Sequence, residues 1–178
     1  MSTLPLHPAI VHVPLGLAMV VPLVAAGLAL ALWRGALPRR AFAVVVALQA
    51  VLVGGGALAM QLGERDEKQA ETVISEKLIE AHEERAEVFV WAAGAVLAVS
   101  AAVLVVPAAA ATAVAAVVVA GTLGVAALAV SAGQAGGELV YRHGAASAYL
   151  PRGAPAEAIP AVGAARVHRE AEHDDEDR

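Results

Sequence analysis

Long stretches without Asp, Glu, Lys or Arg divide this chain. None of these residues precedes Arg34, and none occurs at positions 41–63 or 88–137. About 20 apolar residues in an α-helix are enough to cross the hydrocarbon core of a bilayer. The third stretch, 50 residues long, exceeds one span, and Pro107 should fold it into a tight hairpin. The pattern predicts four membrane helices: Pro8–Trp33, Ala41–Gly63, a third ending near Val106 and a fourth starting near Ala110.

Composition supports this interpretation. Hydrophobic residues make up 59% of the 178 residues and charged residues 16%, with a mean hydropathy of +0.69. We therefore expect an all-α fold, an integral membrane four-helix bundle in residues 1–148, and not a water-soluble enzyme. Residues 149–178 include four consecutive acids at positions 174–177 and are expected to form a disordered acidic tail.

Charge also limits the partners. The net charge of −5 and the lack of basic clusters argue against a nucleic-acid partner. The chain has no cysteine, which excludes disulfides and thiolate-held metals. The expected surroundings are a lipid bilayer, with a redox partner protein, a quinone or a second copy of the chain as possible partners.

The charges in the loops predict an orientation. Arg34, Arg39 and Arg40 lie in the first loop without an acid, whereas residues 64–87 hold nine acids and four basic residues. Basic loops stay in the cytoplasm. We therefore expect a multi-pass protein of the bacterial inner membrane, with both termini outside.

The second loop has a helical pattern. Leu78, His82, Ala86 and Phe89 recur at three- and four-residue steps, and residues 64–89 contain no Gly or Pro. Such a stripe is typical of an amphipathic helix. The third helix should therefore begin outside the membrane, near Glu64, and point His82 into the bundle.

Four histidines fall at the outer end of this topology. His7 and His12 open the first helix, His82 lies on the stripe, and His143 follows the fourth helix just before Gly144, which could cap it. Histidines that converge from several helices can hold a metal or a haem. The alternative is that polar residues simply collect at helix ends.

Glycines cluster at the same end. Residues 54–56 of the second helix are all glycine, as are Gly133, Gly136 and Gly137 of the fourth. They allow close helix packing, room for a flat cofactor, or both. The candidate cofactor-binding residues are His7, His12, His82, His143, Gly136, Gly137 and Tyr141. The candidate metal ligands are His12, His82, His143 and Glu83.

Three segments resemble a known family. Residues 7–15 read HPAIVHVPL, and residues 136–144 read GGELVYRHG; between them, an acidic stretch from Leu62 leads to His82. These segments are similar to the HPxxVHxP start, acidic middle and GGxLVYxHG end of the bacterial membrane family called domain of unknown function 2231. The resemblance covers residues 5–148, and its outer motifs are the more specific.

The resemblance implies a four-helix membrane domain. Some members of that family are linked to cytochrome or Rieske-type modules, which points towards a redox function. The family's motif histidines correspond to His7, His12, His82 and His143. A covalently attached haem would need cysteines that this sequence lacks.

Three functions remain open on the sequence. The first is b-type haem binding for electron transfer, the second is a copper or zinc site, and the third is an accessory or structural subunit. We find no Ser–His–Asp set, phosphate loop or zinc-protease motif. We therefore assign no catalytic residues and expect an electron carrier or accessory subunit, not an enzyme by itself.

Cysteine labelling tests the orientation. In Ala36→Cys, Ala70→Cys and Pro160→Cys variants, an impermeant reagent applied outside should label positions 70 and 160 and spare position 36, because arginine-rich loops stay in the cytoplasm. Labelling of position 36 alone would show that the orientation is inverted.

Overall fold

Helices account for nearly all of residues 6–149, the part of the chain that the computed structural model describes. Two 3₁₀ turns, Arg39–Phe42 and Ala145–Tyr149, accompany the α-helices. Four segments are long and apolar enough to cross a membrane, and the described residues contain no strand. The predicted all-α four-helix membrane bundle is confirmed. The α-helices are α1 (His7–Ile10), α2 (His12–Trp33), α3 (Ala43–Ala70), α4 (Glu76–Val105) and α5 (Ala108–Tyr141).

The first span contains a short interruption. Helices α1 and α2 are separated at Val11, whose backbone stays in the helical region. Pro14 lies four residues after Ile10 and has no N–H to donate to the Ile10 carbonyl, so one helical hydrogen bond is lost there. The next bond, from Leu15 N to Val11 O, is made at 3.1 Å. The span therefore continues as one helical segment from His7 to Trp33.

Each long helix packs against two neighbours. Helix α2 contacts α3 and α5, and α4 contacts the same two helices, as in an up-and-down four-helix bundle. The guanidinium of Arg39 donates a hydrogen bond to the carbonyl of Val106. The first and third connections therefore meet at one end, which also carries Arg34 and Arg40 and which we call the arginine end. The opposite end carries His7, His82 and the α3–α4 turn, and we call it the histidine end.

Small residues set the distance between the helices. A methyl group added at Gly56 would lie 2.9 Å from a γ-carbon of Val90, and one added at Gly121 would lie 2.9 Å from a γ-carbon of Val96. Alanines 18, 25, 93, 111, 115 and 129 are almost fully buried in the two apolar clusters of the core. Such residues allow close backbone approach, which helices in lipid need because apolar burial gives them no driving force.

A polar pair lies between the two clusters of the core. The amide nitrogen of Gln49 on α3 donates to the hydroxyl of Ser100 on α4 at 3.0 Å, and that hydroxyl donates to the Val96 carbonyl at 2.8 Å. Gln49 and Ser100 are both buried. Polar side chains that pair across helices inside a bilayer stabilise a particular helix pairing. The pair therefore fixes α3 against α4.

The chain reverses between α3 and α4 later than expected. Helix α3 runs to Ala70, and α4 begins at Glu76 rather than near Glu64. The third predicted helix does extend beyond its apolar run, but residues 64–70 belong to the helix before it. The turn contains no Gly or Pro; the Thr72 hydroxyl donates to the Gln69 carbonyl at 2.7 Å, and Ile74 is buried. Tertiary burial, not a turn residue, therefore determines the reversal.

Exposed side chains outline the lipid-facing belt. Leu23 is 75% exposed and Val105 is 78% exposed, as expected for residues that face lipid. Trp33 is exposed at the arginine end, Tyr141 at the histidine end, and Trp91 near the middle of α4. Trp and Tyr prefer the two membrane–water interfaces.

The last described segment packs on the bundle. Gly144 has a φ of +74° and follows the end of α5, as expected for a helix cap. The amide of Gln69 donates to the Ala148 carbonyl at 2.9 Å, which holds the 3₁₀ turn on the end of α3. Tyr149, assigned to the tail from the sequence, belongs to this turn. The predicted disordered segment from Leu150 onward lies outside the described residues.

Two glycine-to-alanine changes on α5 test the close packing. Gly121→Ala should destabilise the bundle by about 1–3 kcal/mol, because the new methyl group overlaps the Val96 side chain. Gly124→Ala is the control: nothing lies within 4 Å of its Cβ position, and alanine favours a helix by about 1 kcal/mol. Unfolding in mixed micelles measures both. Equal stabilities of the two variants would contradict the packing at Gly121.

Candidate functional site

Two histidines meet at the histidine end. The ring centroids of His7 on α1 and His82 on α4 lie 6.2 Å apart, and the ring planes are inclined at 88°. The two residues are 75 positions apart in the sequence, so only the folded bundle brings them together. They form an edge-to-face imidazole pair.

The backbone of α3 holds His7 in place. Its Nδ1 lies 2.7 Å from the carbonyl oxygen of Ala59. A carbonyl oxygen only accepts, so Nδ1 carries the hydrogen and donates it. In the neutral ring, Nε2 then keeps a free lone pair. This arrangement is typical of histidines that bind a metal through Nε2.

His82 is held mainly by packing. Its ring is partly buried, and its Nδ1 is fully buried without a hydrogen bond among the described residues. Most buried polar atoms in proteins have a partner, so a lone buried nitrogen needs an explanation. The stripe on α4 directs the ring towards α5, where the backbone carbonyl of Ala132 is its nearest hydrogen-bonding group.

Two glycines make room for the imidazoles. A methyl group added at Gly136 would lie 3.1 Å from Cε1 of His82, and one added at Gly63 would lie 3.3 Å from Nδ1 of His7. The space that these glycines free is thus filled by the histidine rings. Gly56 and Gly136, from the two glycine clusters, contact Val90 and His82 closely, which agrees with the expected helix packing. The flat cofactor stays a prediction.

The remaining candidate residues do not join the pair. His12 and His143 are exposed, and Tyr141 is 83% exposed. Nothing lies within 4 Å of the Cβ position of Gly137. Within residues 6–149, no group of three or more His, Asp or Glu side chains is placed to hold one metal ion. The expected metal set of His12, His82, His143 and Glu83 is therefore not assembled there.

His12 misses the pair for a reason of helix geometry. It lies five residues after His7, which is about 140° further around a helix of 3.6 residues per turn. When His7 faces α3, His12 therefore faces away from it. His143 lies beyond the last residue of α5, where no helical face directs its side chain inward.

Carboxylates cluster around Glu83 at this end. Glu83, next to His82, is partly buried and is repelled by Glu67, Glu64, Glu80 and Glu71. Glu64 and Glu67 on α3 and Glu71 just after its end recur at three- and four-residue steps, so these three share one helical face. The histidine end is therefore strongly negative outside its imidazole pair. The charged groups that act on His82 itself are His7 and Arg85, neither of which is acidic.

Tyr149 marks the edge of this acidic region. Burial raises the pKa of its hydroxyl, and the negative charge of Asp66 on α3 adds to the rise. The 3₁₀ turn that carries Tyr149 thus covers part of the acidic end of α3. His168 and His173 lie outside the described residues.

Some parts of this site had no signal in the sequence. The acceptor for His7 is the backbone carbonyl of Ala59, and any residue can supply a carbonyl. Gly63 is part of the LGE segment that resembles the family's middle motif, but its role as a contact for His7 emerges only from the packing. His7 was expected beside the site and is instead one of its two members.

Comparisons with known proteins found no relatives. No family model matches the chain, and no curated protein or solved structure matches it. The resemblance to domain of unknown function 2231 therefore stays a prediction based on the three motifs.

Neighbouring glycines on α5 test the packing of His82. Gly136→Ala should displace the ring, because the added methyl group lies closer to Cε1 than ordinary van der Waals contact allows. The expected result is a change in the ring resonances of both His82 and His7 in selectively labelled protein, with a loss of about 1 kcal/mol in stability. Gly137→Ala, in open space, should leave both spectra unchanged. An altered spectrum in Gly137→Ala alone would contradict the contact.

Proposed function

We propose that this protein is a membrane electron carrier whose redox centre is a metal bound between His7 and His82. The observation that supports the proposal most strongly is the pair itself: two imidazoles from separate helices, with Nδ1 of one ring engaged by a backbone carbonyl. Two facing histidines in a helix bundle are a frequent way to hold a redox metal.

The donor set fits a transition metal. Imidazole nitrogen suits copper, zinc and iron, and Nε2 of His7 has a free lone pair in the tautomer that Ala59 selects. The buried Nδ1 of His82 lacks a hydrogen bond from the described residues. His7 therefore has a fixed ring and a free Nε2, as a metal ligand needs, and His82 would have to give up its contact with the Ala132 carbonyl to bind through that nitrogen.

The residues of the chain would tune such a centre. A bound metal supplies the one-electron chemistry, and the protein supplies orientation and charge. The Ala59 carbonyl makes the His7 ring more electron-rich by accepting its hydrogen bond. The carboxylates around Glu83 stabilise the more positive oxidation state of the metal, because they interact more strongly with the higher charge.

The location of the pair suits electron transfer across a membrane surface. Helix α4 has 30 residues and α5 has 34, so they extend for about 45 and 51 Å, beyond a hydrocarbon core of about 30 Å. We infer that the excess length projects at the histidine end and lies outside the cell, since the arginine end should be cytoplasmic. A quinol in the bilayer or a redox protein outside would be the electron donor or acceptor.

A structural role is the second candidate. The hydrogen bond from His7 to Ala59 ties the first turn of the chain to α3 with or without a metal. Under this alternative the histidines fasten α1 and α4 to the bundle and bind nothing. The two functions differ in whether the purified protein contains a metal that depends on both histidines.

Four histidine variants distinguish these functions. Full-length protein purified gently from membranes should contain close to one copper or iron atom per chain. His7→Ala and His82→Ala should each lose most of it, because each removes one of the two ligands. Elemental analysis and absorption spectra measure the content.

His12→Ala and His143→Ala are the matched controls, since both side chains are exposed. These variants should retain the metal. Protein that is colourless and metal-free, with equal behaviour in all four variants, would overturn the electron-carrier proposal and leave the structural role.

A further inference from the structure

The arginine end carries positive charge that the described carboxylates do not balance. Within residues 6–149, every Asp and Glu lies at positions 64–87 or at Glu138, towards the histidine end. Glu87 is about 27 Å from the end of α4 at 1.5 Å per residue, and charges in salt solution interact over only about 8–10 Å. The charged side chains of the arginine end are Arg34, Arg39 and Arg40.

We propose that the arginine end binds the phosphate headgroup of an anionic phospholipid through the guanidinium groups of Arg34 and Arg40. The proposal does not depend on a redox centre at the other end of the bundle. It also holds for either orientation of the bundle in a bilayer, because each leaflet offers lipid phosphates.

Arg39 is engaged within the bundle. Its guanidinium donates a hydrogen bond to the Val106 carbonyl, at the turn between α4 and α5. Residues 105–110 of that turn carry no polar side chain, so Arg39 supplies a partner for a backbone group that needs one. The bond holds the connection between α2 and α3 over the α4–α5 turn. Arg39 is therefore a positioning residue.

Arg34 and Arg40 are available for a ligand. Both are exposed, and neither side chain forms a hydrogen bond or an ion pair with another described residue. Gly35 has a φ of +67°, and the N–H of Ala36 donates back to the Ala31 carbonyl at 2.9 Å. The chain therefore reverses directly after Arg34, and Arg40 follows in the 3₁₀ turn that packs against the end of α2. Both arginines thus lie in one short connection at one end of the bundle.

The side chains beside these arginines are typical of the headgroup level of a membrane. Trp33, directly before Arg34, is 69% exposed, and tryptophan prefers the interface between lipid and water. Leu37 and Val105, at the same end, are also exposed, as expected where apolar side chains reach lipid chains. Arg34 therefore lies where lipid phosphates are concentrated, and this placement favours a lipid over a soluble anion.

The chemistry of the end suits phosphate. A guanidinium presents a flat fork of N–H donors that matches two phosphate oxygens, and it keeps its charge at any physiological pH. All three charged residues here are arginine, whereas the two lysines of the chain, Lys68 and Lys77, lie towards the histidine end. An anionic phospholipid offers a negative headgroup that the guanidinium groups can bind in this way.

Tryptophan fluorescence tests the proposal, because the chain has only two tryptophans. Full-length Trp91→Phe protein leaves Trp33 as the reporter; Trp91 is 73% exposed, so its replacement spares the core. The protein is placed in phosphatidylcholine vesicles that contain a minor fraction of phosphatidylglycerol. Either the phosphatidylglycerol or an equal amount of the phosphatidylcholine carries brominated chains, which quench nearby tryptophan. Brominated phosphatidylglycerol should quench Trp33 more strongly.

Variants measure the share of each arginine. A basic residue near an anionic membrane surface contributes about 1 kcal/mol, or about fivefold in local lipid enrichment. Arg34→Gln and Arg40→Gln should therefore each reduce the preference for phosphatidylglycerol about fivefold, and the double variant should abolish it. Circular dichroism checks that the variants fold. If one does not, the comparison of the two lipids with both arginines in place still decides.

Two controls are matched to this design. Arg142→Gln removes an exposed arginine at the histidine end, where Glu138 lies 4.0 Å away, and should leave the preference of Trp33 unchanged. A Trp33→Phe protein reports on Trp91, near the middle of α4, and the two brominated lipids should quench it equally.

Three results would overturn the proposal. The first is equal quenching of Trp33 by both lipids, and the second is a preference that persists in the double variant or appears equally at Trp91. The third is loss of the preference when inorganic phosphate replaces chloride at the same ionic strength, which would show that the arginines take a soluble anion.

Discussion

Close contact between helix backbones is the constraint on which the rest of this structure depends. In lipid, apolar side chains gain nothing by leaving the solvent for each other, so association relies on packing and on polar pairs. Gly56 and Gly121 admit the valines of α4 to within contact distance, and Gln49 pairs with Ser100 between the two core clusters. An enlarged residue at either glycine would shift α4, and with it everything that α4 carries.

The candidate site is a consequence of that packing. Helix α4 carries His82 to the histidine end, and α3 presents the Ala59 carbonyl and Gly63 to His7. On α5, Gly136 packs against the His82 ring. Each imidazole is therefore held by a helix other than its own. The geometry of the pair thus depends on how all the helices of the bundle pack.

The two ends of the molecule differ in charge. The arginine end is tied by Arg39 to the Val106 carbonyl, and its basic residues predict a cytoplasmic location. The histidine end combines the two imidazoles with carboxylates that repel one another around Glu83. That repulsion costs free energy unless a cation or solvent offsets it, which is consistent with the proposal of a metal at this end.

The sequence by itself determined the four membrane helices, the hairpin at Pro107 and the cap at Gly144, because uncharged length, proline and glycine act locally on the backbone. It also determined that α4 extends beyond its apolar run, since the stripe through Leu78 and His82 has helical spacing. Only the tertiary structure decided that the chain turns at residues 71–75, where burial of Ile74 replaces a turn residue. Only the tertiary structure shows that His7 is the partner of His82 and that His12 is exposed. The reason is physical, because such a pairing depends on how helices distant in the chain are rotated and aligned against one another. Contacts such as that of Gly63 with His7 determine this alignment, and the local sequence pattern does not.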